Sequence, residues 1–293
     1  MARPALSHRE PLARPVVTVT ALRLKATLAR LLFVVSAFMA APAAQACGAD
    51  SDCTVGDRTY RISLPEGVTT PVGAVIWAHG YRGSAEGAMR NRSLIGMAHA
   101  QGLAFIAAQG IEGTWDLPNG PRTMDSTGAA EFAYFEAVIA DAVARHGIDP
   151  DKLVMSGFSS GGMMVWNLAC ARPDLFAGFV PISGTYWLGP PETCARPVAS
   201  IVHIHGDDDA TVPVDGRRIG KTRQGKVSDA LEMYALHGVF GPETRKDTAM
   251  LHCSERATIG GDVLDFCLFS GGHSFRTEYL LQAIMRLRDA GQL

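Results

Sequence analysis

The chain has 293 residues, 47% of them hydrophobic and 19% charged, which is ordinary globular composition with enough material for one large domain. A formal net charge of -2 excludes the strongly basic balance of a nucleic-acid-binding protein, so no nucleic-acid partner is expected. Downstream of the N-terminal region no apolar run is long enough to span a bilayer.

The N-terminus has the pattern of an export signal. Arg23, Lys25 and Arg30 precede the apolar stretch Leu31 to Val35, which continues through Ala37, Phe38, Met39 and Ala40. Ala44-Gln45-Ala46 then supplies an A-x-A cleavage signature just before Cys47. A transmembrane anchor is the alternative, but the apolar core is short for one and is followed by small residues. Lipoprotein processing at Cys47 is disfavoured because Ala44 stands where such signals prefer a larger aliphatic residue. The expectation is a signal peptide over 1–46 and a mature domain over 47–293, secreted or periplasmic and free of the membrane after cleavage. All six cysteines fall in that mature domain, and an even count in an exported protein argues for disulfides. Pairing each with its nearest partner gives Cys47–Cys53, Cys170–Cys194 and Cys253–Cys267. No C-x-x-C pair occurs and the histidines are scattered, so no metal site is expected.

In chain order, Arg58 to Leu64 alternates polar and apolar residues, as a half-buried strand near a sheet edge does. Val72 to Ala78 is a continuous apolar run suited to a strand covered on both faces, and it ends at His79-Gly80-Tyr81. A helical segment is expected from about Ser84 to His99, then a buried strand over Leu103 to Ala107. The Gly-, Pro-, Trp- and Asn-rich stretch from Ile111 to Met124 reads as surface loop and a wall of a binding site. Ala129 to His146 is amphipathic, with Ser126 or Thr127 as its N-cap and Gly147 as its stop; Asp149-Pro150 then turns the chain into the next strand. Further apolar runs lie at Phe179 to Ile182, Ser200 to His205 and Val263 to Phe269, and Phe275 to Asp289 closes the chain as a helix. This alternation predicts a single α/β domain with a mostly parallel sheet and helices on both faces.

The chemistry is concentrated in Leu153 to Ala171, where an apolar strand, the segment Gly157-Phe158-Ser159-Ser160-Gly161-Gly162 and a helix follow one another without a gap. That is the strand–turn–helix context of a G-x-S-x-G nucleophile elbow, with Ser159 as nucleophile and glycines where a side chain would meet neighbouring backbone. A serine hydroxyl needs a base, and the base needs an orienting carboxylate, in the chain order Ser, Asp or Glu, His for an α/β-hydrolase. His273 is the best base, since it follows the last strand on a glycine approach, Gly271-Gly272. The carboxylate lies among Asp207, Asp208 and Asp209, just past the strand that ends near His205. One oxyanion donor is the backbone N–H of Ser160. His79 and His205 begin turns and read as supporting residues; Met163, Met164 and Trp166 read as core. Arg217, Arg218, Lys221, Arg223 and Lys226 form a basic loop, read as a solvated face with an anionic or carboxylate-bearing substrate as the alternative.

The set HG at 79–80, GFSSGG at 157–162, HGDDDATVP at 205–213 and GGHSF at 271–275 resembles the secreted polyhydroxybutyrate depolymerase-like and feruloyl-esterase-like branch of the α/β-hydrolases, related to dienelactone hydrolases and polyester hydrolases. The resemblance runs from about Tyr60 to the C-terminus. It implies Asp209 as the triad acid, through an H-G-x-x-D-x-x-V-P pattern, and the backbone N–H of Tyr81 as the second oxyanion donor. It also suggests the Tyr81 ring, Trp187 and Trp115 as substrate-lining groups. The pattern departs from the family where Phe275-Arg276 replaces Trp-Pro after the histidine motif and where Tyr81 replaces cysteine after HG. The expected activity is hydrolysis of a small-molecule or polymeric carboxylic ester through an acyl-enzyme, by a monomer that uses no cofactor or metal. The alternatives are a peptidase or acyltransferase on the same fold, or a non-catalytic binding module, which an intact triad disfavours.

Overall fold

The computed structural model describes residues 47–68 and 71–293, and within them the chain alternates strands and helices. In order these are β1 (Cys53–Val55), β2 (Arg58–Ser63), β3 (Val72–Ala78), α1 (Ala85–Met89), α2 (Arg92–Ala100), β4 (Ala104–Ala108), α3 (Ala129–His146), β5 (Ile148–Phe158), α4 (Ser160–Ala171), β6 (Gly178–Ile182) and β7 (Ile201–Gly206). They are followed by β8 (Arg217–Ile219), β9 (Thr222–Gln224), α5 (Val227–Gly238), β10 (Thr244–Asp247), β11 (His252–Ala257), β12 (Val263–Phe269) and α6 (Thr277–Asp289). The expected signal peptide over 1–46 lies outside the described residues.

Ten of the strands form one sheet in the order β1-β2-β4-β3-β5-β6-β7-β12-β11-β10. The central run from β4 through β3, β5, β6 and β7 to β12 is parallel, while β1, β2, β10 and β11 add antiparallel margins. Every residue of β3, β4, β6 and β7 is buried, which is why these strands read as unbroken apolar runs and not as alternation. The core is correspondingly split in two by the sheet. Tyr134, Phe135 and Val138 of α3, Met164 and Leu168 of α4 and Tyr234 of α5 pack on one face. Met89 of α1, Leu94 of α2 and Leu280, Ile284 and Leu287 of α6 pack on the other.

Several local expectations need correction. The segment expected as one helix from Ser84 to His99 is two, because Asn91 accepts the Leu94 N–H and caps a second start. The N-cap of α3 is Gly128 at φ 73°, with no side-chain cap; Ser126 instead donates to the Asp116 carboxylate. Asp149-Pro150 lies inside β5 and not before it, at an irregularity where the pairing with β3 jumps from Val72–Ile148 to Ala74–Leu153. The basic loop is a hairpin of β8 and β9. The three disulfides are Cys47–Cys53, Cys170–Cys194 and Cys253–Cys267, the nearest-partner pairing, and the last joins cross-strand neighbours on β11 and β12. Among the described residues no helix is long and apolar enough to cross a membrane.

Candidate active site

Ser159 stands between β5 and α4 at φ 58° and ψ -120°, a backbone conformation that costs an ordinary residue a few kcal/mol and persists only where the surroundings enforce it. Two glycines make the turn possible. A Cβ on Gly157 would come within 2.6 Å of the Gly161 carbonyl, and one on Gly161 would run into the carbonyl oxygen of Ala78 on β3. The elbow therefore presses backbone against backbone, and Ser159 is held from the other side by its own N–H donating to Ile182 of β6 at 2.9 Å. From this position its Oγ lies 2.9 Å from Nε2 of His273. Nδ1 of His273 lies 2.7 Å from Oδ2 of Asp209.

Each partner arrives from the carboxyl end of a different parallel strand, where an open α/β sheet presents its ligand-binding crevice. Asp209 follows β7 and His273 follows β12, and the two loops are tied together. The Asp207 carboxylate accepts the Gly271 N–H at 2.9 Å, and the Asp208 N–H donates to the Gly271 carbonyl at 3.0 Å. Of the three adjacent aspartates, then, Asp209 meets the imidazole, Asp207 fastens the histidine loop, and Asp208 is exposed. Asp209 itself is buried and takes the N–H groups of Thr211 and Val212 on Oδ1, at 2.9 and 2.8 Å. Burial alone would raise its pKa. The hydrogen bonds of His205, Val212 and His273 outweigh that effect and hold the carboxyl well below the usual carboxylate range, so Asp209 is ionised at neutral pH. The imidazole of His273 is steadied by Phe158, with ring centroids 4.6 Å apart.

Behind the carboxylate lies a buried polar chain. The indole N–H of Trp166 donates to Nδ1 of His203 at 2.8 Å, and Nε2 of His203 lies 2.9 Å from Nδ1 of His205. Nε2 of His205 reaches the Val212 carbonyl at 2.7 Å and lies 3.4 Å from Oδ2 of Asp209. An indole can only donate, so the proton order along the chain is determined: each histidine is neutral and carries its hydrogen on Nε2. Burial and the neighbouring His205 push the His203 pKa well below its ordinary value, in keeping with a neutral ring.

Opposite the elbow, His79-Gly80-Tyr81 follows β3. A Cβ on Gly80 would lie 3.5 Å from the Ser159 Cβ, which places this backbone against the nucleophile. The Tyr81 N–H has no acceptor among the described residues, and Ser160 opens α4, where the first N–H groups lack a partner in the helix. These are two free donors beside one serine. His79 keeps the loop in shape: Nε2 accepts the Gly110 N–H at 3.0 Å and Nδ1 donates to the Gly80 carbonyl at 2.8 Å. Trp115, expected among the substrate-lining groups, is only 2% exposed; its indole donates to the His79 carbonyl at 2.8 Å and packs against Phe135. It supports the loop from behind and does not open onto the cleft. Tyr81 is 64% exposed, and Trp187 is half-buried in the loop after β6, its backbone bridged to Gln224. His203 carried no sequence signal beyond its apolar strand. Nor did the Arg58–Glu131 ion pair at 2.7 Å, which anchors the loop after β4 through the Asp116 N–H.

Residues 66–241 match the model of the phospholipase/carboxylesterase family, more than half of the chain. The chain belongs to that family. Within reach of this phospholipase/carboxylesterase sequence are a putative esterase, NocK, of Nocardia uniformis subsp. tsuyamanensis, 32% identical over 184 residues, and a probable feruloyl esterase C of Aspergillus terreus, 30% identical over 207 residues. The matches cover 60% and 65% of this chain, against 52% of the first relative and 73% of the second, so the chain spans about half the length of NocK. The fold is shared with an acetyl xylan esterase from Aspergillus awamori at a TM-score of 0.60 and 15% identity, over 80% of this chain and 98% of that one.

Proposed function

We propose that the protein is an exported carboxylic-ester hydrolase that works through an acyl-enzyme on Ser159. The observation that carries this reading is the unbroken hydrogen-bonded series from Ser159 Oγ through His273 to a buried, ionised Asp209, in a chain of the carboxylesterase family. As Ser159 attacks the ester carbonyl, His273 Nε2 takes its proton, and Asp209 fixes the tautomer and stabilises the imidazolium that results. The tetrahedral oxyanion is received by the N–H groups of Tyr81 and Ser160. His273 then gives its proton to the departing alcohol and activates the water that releases the acid. All five groups belong to one copy of the chain, which fits a monomer. Export is supported by the A-x-A pattern before Cys47 and by three disulfides that belong in an oxidising compartment. The names of the relatives direct the substrate towards feruloyl esters or the acetyl esters of xylan.

The test compares the mature protein with its Ser159→Ala variant on a series of short-chain p-nitrophenyl esters. The expected outcome is a loss of about 10⁴-fold or more in kcat, with the variant folded. A folded variant that retains full activity refutes the reading.

A further inference from the structure

Arg217, Arg218, Lys221, Arg223 and Lys226 lie on the β8–β9 hairpin and its exit, opposed within 215–226 by Asp215 alone. Among the described residues none of the five has a carboxylate within ion-pair distance. Several arginines elsewhere are paired, as Arg58 is with Glu131, Arg145 with Asp141, Arg172 with Asp174 and Arg286 with Asp265. Unpaired like charges repel, so this is a local positive field standing in a protein whose net charge is -2.

The array is fixed in place. The Leu188 N–H donates to the Arg223 carbonyl and the Gly225 N–H to the Tyr186 carbonyl, each at 2.8 Å. Thr222 Oγ1 donates to the Asn119 carbonyl at 2.8 Å, and Arg217 Nε donates to the Gln224 side chain at 3.1 Å. These contacts join three loops, those after β4, β6 and β7. All three strands are parallel members of one sheet, so the loops leave the same edge as the elbow after β5 and the His273 loop after β12. With Leu188 the hairpin borders a groove of about 450 Å³.

An arginine fork matches a carboxylate in two parallel hydrogen bonds, and a spaced row of them suits a polymer that repeats that group. The hairpin offers no aromatic ring on which a nucleobase could stack. Its outward side chains are cations, where an interfacial segment would insert apolar ones. We propose that the hairpin docks an acidic, uronate-bearing polysaccharide and that the ester cleaved at Ser159 is carried on that polymer. The second half of this statement rests on the esterase reading; the docking surface does not.

Binding is therefore read separately from turnover. In affinity electrophoresis through a gel containing polygalacturonate, the Ser159→Ala protein is retarded at low salt. Retardation is lost in Ser159→Ala carrying Arg218→Gln and Lys221→Gln, and also in 0.5 M NaCl. In the catalytically intact background, Arg218→Gln with Lys221→Gln lowers kcat/KM on acetylated polygalacturonate about tenfold at low salt, as expected for lost polyanion contacts. The same pair leaves kcat/KM on p-nitrophenyl acetate and on acetylated neutral xylan unchanged. Retardation without hydrolysis of any ester upholds the surface and refutes the esterase. Failure of polygalacturonate to retard the protein overturns the proposal, as does an equal loss on neutral xylan. Capture by phosphatidylglycerol vesicles without retardation by polygalacturonate overturns it in favour of a membrane partner.

Discussion

His203 donates its Nε2 hydrogen to Nδ1 of His205 across 2.9 Å, within a stacked pair that solvent does not reach. Because Trp166 supplies the other end of that chain, His205 is obliged to point its own N–H at the Val212 carbonyl, and the Val212 N–H then bonds Asp209. On the proposed mechanism His205 positions Asp209, the triad acid of that reading. His205→Phe leaves the Val212 carbonyl without its donor. We expect kcat on p-nitrophenyl acetate to fall by about 10-fold to 100-fold with little change in KM, as when an orienting group is removed. His205→Gln can still donate to that carbonyl and should recover part of the loss; equal losses in the two variants would assign His205 a packing role only.

His203 also makes stability depend on pH. His203 has a folded-state pKa well below its ordinary 6.5, so the unfolded chain binds the extra proton first. Its contribution is fully present above about pH 6.5 and is lost as the pH falls below that value. Asp265 acts in the opposite sense: burial pushes its pKa up to about 6, only partly offset by the bond from Arg286, so its burial becomes costly as the pH rises from about 4 towards 6. Urea unfolding across pH 5 to 8 should show a weaker fall on the acid side for His203→Gln, which can accept from Trp166 and donate to His205, than for the parent protein.

Trp115 and Tyr81 make a contrasting pair. Trp115→Phe removes the hydrogen bond to the His79 carbonyl while keeping most of the packing. The expected cost is about 1 kcal/mol of stability and a lower kcat, with KM for small aryl esters unchanged. Tyr81→Ala removes an exposed ring but keeps the backbone donor, so stability should change by less than about 0.5 kcal/mol and kcat should survive, while KM for feruloyl esters rises. Thermal unfolding together with steady-state kinetics on methyl ferulate separates the two patterns.

The backbone of Ser159 gives a fourth test. Ser159→Ala and Ser159→Gly both delete the hydroxyl and both abolish turnover, but only glycine accepts φ 58° and ψ -120° without strain. After glycine's larger entropy in the unfolded chain is set against the relief, Ser159→Gly should exceed Ser159→Ala by about 1 kcal/mol in unfolding free energy. A Ser159→Gly protein less stable than Ser159→Ala by about 0.4–1 kcal/mol, the unfolded-chain entropy term alone, would mean that the elbow is unstrained.

The central strands were legible in the sequence because burial on both faces leaves an unbroken apolar run, and the elbow because its glycines answer a steric demand. What escaped had no such signature. β10, Thr-Arg-Lys-Asp, is wholly exposed, and β11 is mostly polar, so neither carries alternation; β11 exists because β12 offers it a pairing edge, and β10 because β11 does. α5 does bury Val227, Ala230 and Tyr234 at helical spacing, a signal overshadowed by the basic run before it. In the site, chain order and position after a strand single out Ser159 and His273, which the fold brings within hydrogen-bond distance, whereas the choice among three adjacent aspartates needed a family pattern. The role of Trp115 could not be read at all, since its partner at His79 is 36 residues away and only folding makes them neighbours.

Ser159 and His273 are separated by 114 residues, and His273 and Asp209 by 64, yet the three side chains meet within a single hydrogen-bonded line. Their meeting requires β7 and β12 to be zipped in register, and β12 is the last of the described strands in chain order. On the proposed mechanism turnover is thus a built-in gauge of sheet closure. During refolding, tryptophan fluorescence reports the burial of Trp77, Trp115 and Trp166, while on the proposed mechanism ester cleavage returns only when β12 has paired with β7. The interval between the two signals times the final step of assembly in solution, with no label attached.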